Sequence, residues 1–275
     1  MTADWNPDFA EHVPAFAPLR ALARALPRDA WPDCAALNAL AESAVTRPLN
    51  AGGLPVRFVP QSLRQVAFED KYEPRIFLRG EIQMREQNWH DLFNALVWLV
   101  FPRAKAALNA CHFEALRTQH AAGQANRGPR QDALTLFDEG GIIVPVAQPA
   151  LGQLLREHAW KDLFWHRRAE LGGSMGFHLF GHAVCEKMLQ PYTGLTARGV
   201  ICAVTPDFFA QDPLRQFAQL DAQLAALLTA PESFCSTAEL AAVPLLGVPG
   251  WCGGNAREDY YDDRGYFRPR RTDRR

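Results

Sequence analysis

The chain has 275 residues, of which 48% are hydrophobic and 21% are charged, and its formal net charge is −1. This composition is typical of a globular protein and excludes disorder of the whole chain. Its longest apolar run, 95–101, is far shorter than the ~20 residues of a membrane-spanning helix, and the first residues lack the pattern of a signal peptide. We therefore expect a cytoplasmic protein without a membrane partner.

The six cysteines are spread along the sequence, and no two of them form a Cys-x-x-Cys pair. This spacing excludes a zinc ribbon and a thioredoxin-type redox motif. Because nothing targets the chain to an oxidising compartment, we expect reduced thiols that are mainly buried. Glycine-rich phosphate loops and the Gly-x-Ser-x-Gly motif are also missing from the sequence, so no motif identifies a cofactor.

The first half of the chain predicts mostly helices, bounded by prolines. In chain order the elements are helices at about 14–26 and 32–45, a strand at 56–60, an extended or loop segment at 72–87, and helices at 88–101 and about 103–120. Because only Pro102 separates the last two helices, we expect them to pack against each other.

The second half predicts a β-hairpin followed by further helices. Its strands are 133–137 and 142–146, joined by Asp138-Glu139-Gly140-Gly141, whose Asp and Gly are typical of a hairpin turn. The later elements are helices at about 149–170 and 174–189, a strand at 199–204 and a helix at 213–228. From Pro244 onward we expect irregular chain.

Together these elements predict an α+β fold that is mainly helical. We expect one domain over residues 1–267, with a small antiparallel sheet or β-hairpin and an irregular C-terminal arm. The last eight residues, 268–275, contain five Arg and one Asp. They are expected to form a basic, disordered tail, although such a tail also suits contact with nucleic acid or acidic lipid.

The helix at 88–101 carries the clearest candidate site. It is apolar almost all round, so most of its surface should be buried. His90, Asp91 and Asn94 nevertheless fall within about a 100° arc of one face. A buried polar group without a partner costs about 1–3 kcal/mol, so these side chains require a structural or functional reason.

The next helix has a polar stripe of its own. Lys105, Asn109 and His112 lie within about a 60° arc at helical spacing. They either meet the stripe of the preceding helix in one buried polar layer or face solvent. We include Lys105 and Asn109 among the expected ligand-binding residues.

Three further polar residues share one face of the helix predicted at 174–189. His178, His182 and Glu186 follow one another at intervals of four residues, which suits a divalent metal ion, a catalytic role or a polar contact between helices. Two His and one Glu from a single helix need a fourth group that the sequence does not identify. We therefore expect no tightly bound metal at these residues.

A basic loop precedes the predicted hairpin. Arg127 and Arg130 lie in a glycine-containing segment, where two guanidinium groups suit a phosphate or a carboxylate. Asp132 follows them, either as part of that site or as a cap paired with Arg130.

Several segments together resemble a bacterial family of uncharacterised proteins, the domain of unknown function 3025 family. The resembling segments are NWHDLFNALVW (88–98), FPRAKAALN (101–109), QDALTLFDE (131–139), FGHA (180–183) and LGVPGW (246–251). They extend over most of the chain, and the resemblance implies that they belong to one domain. It implies no reaction, and His178 lies outside the resembling segments.

These observations favour a cytoplasmic enzyme acting on a small anionic or nucleotide-like substrate, with hydrolysis as the default reaction. The expected catalytic residues, whose side chains should converge in one pocket, are His90, Asp91, Asn94, His182 and Glu186. The expected ligand-binding residues are Lys105, Asn109, Arg127, Arg130 and Asp132, of which the three cationic ones would stabilise an anion. The alternatives are a nucleic-acid-binding module and a structural or interaction protein. The oligomeric state is not indicated.

Overall fold

A computed structural model describes residues 4–62, 67–123 and 127–270. The predicted fold class, α+β and mainly helical, is confirmed. The α-helices are α1 (Arg20–Arg24), α2 (Cys34–Ser43), α3 (Tyr72–Arg79), α4 (Trp89–Val100), α5 (Pro102–Ala122), α6 (Pro129–Gly140), α7 (Pro149–Arg156), α8 (His182–Lys187) and α9 (Pro213–Thr229). Within these described ranges no helix is both long and apolar enough to cross a membrane.

The strands form two small sheets. They are β1 (Arg57–Pro60), β2 (Glu81–Met84), β3 (Gly141–Val146), β4 (His178–Leu179), β5 (Thr196–Ala203) and β6 (Ala241–Pro244). The first sheet pairs β1 with β2 in parallel, and the second has the order β4-β3-β5-β6. Its central pair, β3 and β5, is parallel, whereas both outer strands are antiparallel to their neighbours. The second sheet is therefore mixed rather than purely antiparallel.

The β-hairpin predicted at 133–146 is wrong in its first half. Residues 133–137 belong to α6, which has Pro129 in its first turn and buries Ala133, Leu134 and Phe137 on one face. This spacing is that of a helix, and the helix runs into β3 without an intervening loop. The second half is confirmed as a strand, and β3 is buried along its whole length, as expected for a central strand covered on both faces.

Two other segments that contribute to the candidate site also differ from prediction, and the helix expected at 149–170 ends at Arg156 as α7. The helix expected at 174–189 is replaced by β4 and the short helix α8, with Phe180 and Gly181 between them. The segment at 72–87, expected to be extended or loop, contains α3 and β2. Both differences change which side chains share a face, and both affect the candidate site.

Helix α4 lies at the centre of the molecule. Nine of its twelve residues are buried, which confirms the prediction from its apolar sequence. Aromatic side chains of the N-terminal segment pack against it, with the rings of Phe9 and Phe16 5.5 and 5.3 Å from the ring of Phe93. The N-terminal segment therefore helps to bury α4.

The C-terminal arm is irregular and packs on the body through aromatic anchors. The hydroxyl of Tyr266 donates to the carbonyl of Leu195 at 2.8 Å. The indole of Trp160 donates to the carbonyl of Arg268 at 2.8 Å. Arg268 is thus attached to the body, contrary to the expectation of a free tail from that residue onward. Residues 271–275 of the expected tail lie outside the described residues.

One buried carboxylate joins α9 to the first turn of α5, beside the apolar packing of the two helices. Asp221 of α9 accepts hydrogen bonds from the backbone amides of Arg103 and Ala104, at 3.1 and 2.8 Å, and so caps the first turn of α5. Burial raises the pKa of Asp221 from 3.8 to about 6, against the opposing effect of the two amides.

We predict that Asp221 makes stability depend on pH. Its pKa is higher in the folded than in the unfolded chain, so the fold holds the proton more tightly and loses this stabilisation as pH rises from about 4 to about 6. Between pH 4 and pH 7 the free energy of unfolding of wild type should therefore fall by about 3 kcal/mol relative to Asp221→Asn. Urea unfolding of both proteins at the two pH values measures this difference. A change in the opposite direction would show that the amides outweigh burial.

Candidate functional site

A cleft of about 260 Å³ lies where α3, α4, α6 and α8 meet. Its wall is polar throughout, which is unusual because ligand pockets are mostly lined by apolar side chains. The lining residues are Gln61, Tyr72, Glu73, Gln83, Arg85, His90, Asp91, Asn94, Asp138, Glu139 and His182. Such a wall suits a small polar or charged ligand.

The junction of α6 and α8 sets one side of this cleft. Gly141 accepts hydrogen bonds from the amides of Phe180 and Gly181, at 3.0 and 2.9 Å. A Cβ at Gly181 would lie 2.5 Å from the carbonyl oxygen of Glu139 and closer still to the amide nitrogen of Gly141. The absence of a side chain at Gly181 therefore lets the last turn of α6 contact the first residue of α8, His182.

His182 lies between the two acids of that last turn. Its Nδ1 is 3.8 Å from Asp138 Oδ1, and its Nε2 is 3.6 Å from Glu139 Oε2. The side chain is buried, and Nδ1 has no hydrogen-bond partner among the described residues. Burial lowers the pKa of His182 to about 4, so the imidazole is neutral near pH 7 and has a lone pair to offer.

His90 faces His182 from α4. The two ring centroids are 4.4 Å apart and the rings are nearly perpendicular. Nδ1 of His90 lies 3.2 Å from Oε2 of Glu186, which is one helical turn beyond His182 on α8. The predicted convergence of His90, Asn94 and His182 is therefore what the structure shows, and Glu186 adjoins them, although His90 is only half-buried.

Asp91 lines the cleft, but Arg85 occupies its carboxylate. The two oxygens accept three hydrogen bonds from Arg85, one from its backbone amide and two from its guanidinium, at 2.7 to 2.9 Å. Asp91 therefore fixes the segment that leads into α4. The hydrogen bonds described for its carboxylate go to Arg85 and not to His90 or His182.

Two buried amide side chains form the opposite wall. Asn94 donates through Nδ2 to the hydroxyl oxygen of Tyr72 at 2.6 Å, and its Oδ1 has no partner in the described part of the chain. Gln83 accepts from the amide of Ser62 at 2.8 Å, and its Nε2 is likewise without a partner there. These two side chains thus offer one acceptor and one donor that are not used within the described part of the chain.

The stripe of α5 faces a second, much smaller cavity behind the cleft, of about 10 Å³. Lys105, Asn109 and His112 are all buried, so they form a polar layer and do not face solvent. The Lys105 ammonium lies 2.5 Å from Asp138 Oδ1, and Asn109 Nδ2 donates to Glu73 Oε2 at 2.6 Å. The two cavities share Tyr72, Glu73 and Asp138.

Three acids that line the cavities differ in the direction in which the fold shifts their pKa. Burial tends to raise the pKa of Asp138, but the Lys105 ammonium and the His182 imidazole lower it to about 2. Burial raises the pKa of Glu73, and burial together with the charge of Asp138 raises that of Glu139. Asp138 is therefore the acid that stays ionised most firmly.

Two sets of side chains in the described ranges have the composition and spacing of metal ligands. One ligand atom from each of His90, Glu139 and His182 lies within 4.8 Å of the other two. The same holds for Glu73, His112 and Asp138 in the smaller cavity. The three residues that the sequence placed on one helix face, His178, His182 and Glu186, do not share one, because His178 lies in β4 and its ring contacts Phe217.

The predicted basic loop does not reach the cleft. Arg130 donates to the carbonyls of Leu228, Ala230, Pro231 and Ser233 and thereby caps the C-terminal end of α9. Arg127 is exposed, and Asp132 is an exposed acid in the first turn of α6. The fold places these three residues near the opposite end of α6 from Asp138 and Glu139, so they do not join His90 in the cleft, and their binding of a ligand stays a prediction.

Sequence analysis missed several residues of the cleft. Asp138 and Glu139 fit a hairpin turn as well as a helix end, and only the helical spacing of Ala133, Leu134 and Phe137 favours the second interpretation. Glu73 was missed because α3 was not predicted, and Gln61, Gln83 and Arg85 carried no signal in the sequence.

The comparisons with known proteins identify a family. The family model of the protein of unknown function DUF3025 matches residues 56–271, most of the chain. The chain therefore belongs to the domain of unknown function 3025 family, as the resemblance of its motifs indicated. A search of curated proteins and a search of solved structures each gave no match. The family assigns no activity, so the function must be argued from the site.

We predict that Gly181→Ala disrupts the cleft. Its new Cβ would meet backbone atoms of Glu139 and Gly141, which cannot rotate away, so α8 must move. The expected loss of unfolding free energy is about 1–3 kcal/mol or more. Gly140→Ala is the matched control, since its Cβ would enter open space at the end of the same helix α6. Urea unfolding measures both variants, and equal stabilities would contradict the proposed close approach.

Proposed function

We propose that this protein is a hydrolase whose active site is the polar cleft formed by α3, α4, α6 and α8. One observation supports this most: His90, Glu139 and His182 converge in a cleft where Gln83 Nε2 and Asn94 Oδ1 have no hydrogen-bond partner among the described residues. In a purely structural polar cluster, each buried side chain would find its hydrogen-bond partner within the cluster, because unpartnered buried polar groups are costly. A ligand that supplies the missing partners removes this cost.

In this proposal the cluster activates a water molecule. The water loses a proton to the site, and its oxygen bonds to the electrophilic atom of the substrate. The bond to the leaving group breaks, and the leaving group takes a proton from the site. The site thus needs a group that favours hydroxide and a group that returns the proton, which neighbouring imidazoles and carboxylates supply.

The surroundings of the cluster indicate the kind of substrate. The volume of the cleft suits a small molecule, and Gln83 Nε2 and Asn94 Oδ1 suit a substrate with one acceptor and one donor. Among the cationic groups expected to bind an anion, Lys105 is paired with Asp138 and Arg130 caps α9. We therefore propose a small polar substrate, which includes an anion only if a further cation enters the site.

The hydrolase proposal predicts loss of activity in variants of the cluster. Purified protein is assayed with a panel of chromogenic carboxylic esters, phosphate esters and small amides. Glu139→Gln and His90→Ala should reduce kcat/KM by about 10²–10⁴-fold on any substrate that wild type hydrolyses, because each removes a group that acts on the water. His166→Asn, which changes an exposed histidine outside the cleft, should leave the rate unchanged.

Two results would contradict this proposal. One is that wild type hydrolyses no member of the panel. The other is that Glu139→Gln and His90→Ala retain the wild-type rate, since the activity would then arise elsewhere. Circular dichroism of each variant shows whether a lost rate reflects a lost fold.

A further inference from the structure

We propose that His90, Glu139 and His182 bind one divalent transition-metal ion, zinc in particular, with a coordination position left open towards the cleft. Two imidazoles and one carboxylate are the protein ligands of many catalytic zinc sites. The role of the ion rests on the proposed function, because it would supply the water-activating charge there. Its binding does not, because the ligand set stands whether or not hydrolysis occurs.

The geometry of the three side chains is close to that of a metal site. Ligand atoms around tetrahedral zinc are about 3.4 Å apart when each is about 2.1 Å from the ion. His182 Nε2 and Glu139 Oε2 are already 3.6 Å apart. One ring nitrogen of each histidine and one carboxylate oxygen of Glu139 lie within 4.8 Å of one another. Because His90 is half-buried and Glu139 is partly exposed, both have room to close on an ion.

Both imidazoles also have a carboxylate next to the nitrogen that the ion would not use. Glu186 Oε2 lies 3.2 Å from His90 Nδ1, and Asp138 Oδ1 lies 3.8 Å from His182 Nδ1. Metal-bound histidines commonly donate their second N–H to such a carboxylate, which fixes the tautomer and the ring orientation. Binding through Nε2 would place a proton on His182 Nδ1, the atom that has no partner in the described residues.

The charge around the cluster favours a cation. Glu139 of the cluster has four further carboxylates around it, those of Glu73, Asp91, Asp138 and Glu186, and two cationic side chains, Arg85 and Lys105, form salt bridges among these acids. Arg85 is paired with Asp91 and Lys105 with Asp138. Hence three of the five carboxylates have no Lys or Arg partner within the described ranges. An additional dication would compensate this excess negative charge.

The second set of acids and histidine does not suit the ion. In that cavity the ammonium of Lys105 already contacts Asp138 at 2.5 Å and lies 5.8 Å from the ring centroid of Trp98. A dication bound by Asp138 there would face a buried positive charge, which Coulomb repulsion opposes. The Glu73 carboxylate also accepts a hydrogen bond from Asn109. We therefore assign the ion to His90, Glu139 and His182 alone.

The first experiment measures the metal directly on the full chain. Protein produced without an affinity tag is stripped with chelator, and Zn²⁺ is then titrated by calorimetry and by the shift in melting temperature. We expect one Zn²⁺ per chain and a higher melting temperature with the ion, because it binds the native state preferentially. Mg²⁺ and Ca²⁺ should bind far more weakly, since they prefer oxygen ligands. Failure of Zn²⁺ to bind would overturn the proposal.

Variants then locate the ion. His90→Ala and Glu139→Gln should each weaken Zn²⁺ binding by more than about 100-fold. Substitution of a residue that only hydrogen-bonds to a metal ligand already weakens binding by up to about 100-fold, and loss of a ligand itself should cost more. Glu186→Gln, which alters only the carboxylate behind His90, should weaken it by about 10-fold to 100-fold. His166→Asn and His112→Asn should not change it. Loss of binding in His112→Asn, with binding retained in His90→Ala, would overturn the assignment and place the ion in the smaller cavity.

X-ray absorption of the zinc-loaded wild type tests the ligand set without any variant. We expect two imidazoles and oxygen donors at about 2.0–2.1 Å. A spectrum with sulfur ligands, or without imidazole, would overturn the site even if every variant failed to fold. The two proposals fail in different ways. Zinc binding without hydrolysis contradicts the enzyme alone, and hydrolysis by a protein that binds no zinc contradicts the metal site alone. Full hydrolysis by stripped protein that still binds zinc contradicts only the role of the ion in the reaction.

Discussion

The close approach of Gly141 and Gly181 determines where the catalytic candidates meet. Two hydrogen bonds to the Gly141 carbonyl bring the start of α8 against the end of α6, and neither position has room for a side chain. Because α6 ends in Asp138-Glu139 and α8 begins with His182, this backbone contact places two carboxylates beside one imidazole. Packing of α4 against α8 then brings His90 to the same point. The two glycines therefore contribute to the site by geometry, without chemistry of their own.

Asp138 divides the polar interior into two regions with different charge. On one side the buried Lys105 ammonium neutralises it, so the smaller cavity contains its own cation. On the other side it faces His182, and the neighbouring Glu139 and Glu186 have only imidazoles as partners in the described contacts. A buried charge is tolerated when it is paired, and the lysine pairs only one of these regions. This asymmetry is the physical reason to expect an external cation in the cleft and none behind it.

Sequence patterns located some residues of the site and missed or misplaced others, for reasons that differ from residue to residue. His90 and Asn94 were predictable because polar residues are conspicuous in a helix that is otherwise apolar, and that helix is buried as its composition requires. Glu139 was not predictable as a site residue, because the sequence Asp-Glu-Gly-Gly is compatible both with a hairpin turn and with the end of a helix. His178 was wrongly joined to His182 because the interval of four residues has meaning only if the helix is continuous, and a strand ends between them. The glycine contact that assembles the site is tertiary, so no local pattern contains it.

The unpartnered polar atoms connect stability with function. Six buried side-chain nitrogen or oxygen atoms in the described ranges have no hydrogen-bond partner, and four of them belong to residues that line the two cavities: Gln83, Asn94, Asn109 and His182. Each such atom costs about 1–3 kcal/mol, which is a considerable share of the stability of a typical domain. A core shaped by stability alone would contain apolar side chains of similar volume at these positions. Four of the six atoms lie around two adjoining cavities, where the proposed ligand would offset part of this destabilisation, whereas Trp89 Nε1 and His158 Nδ1 lie outside both cavities.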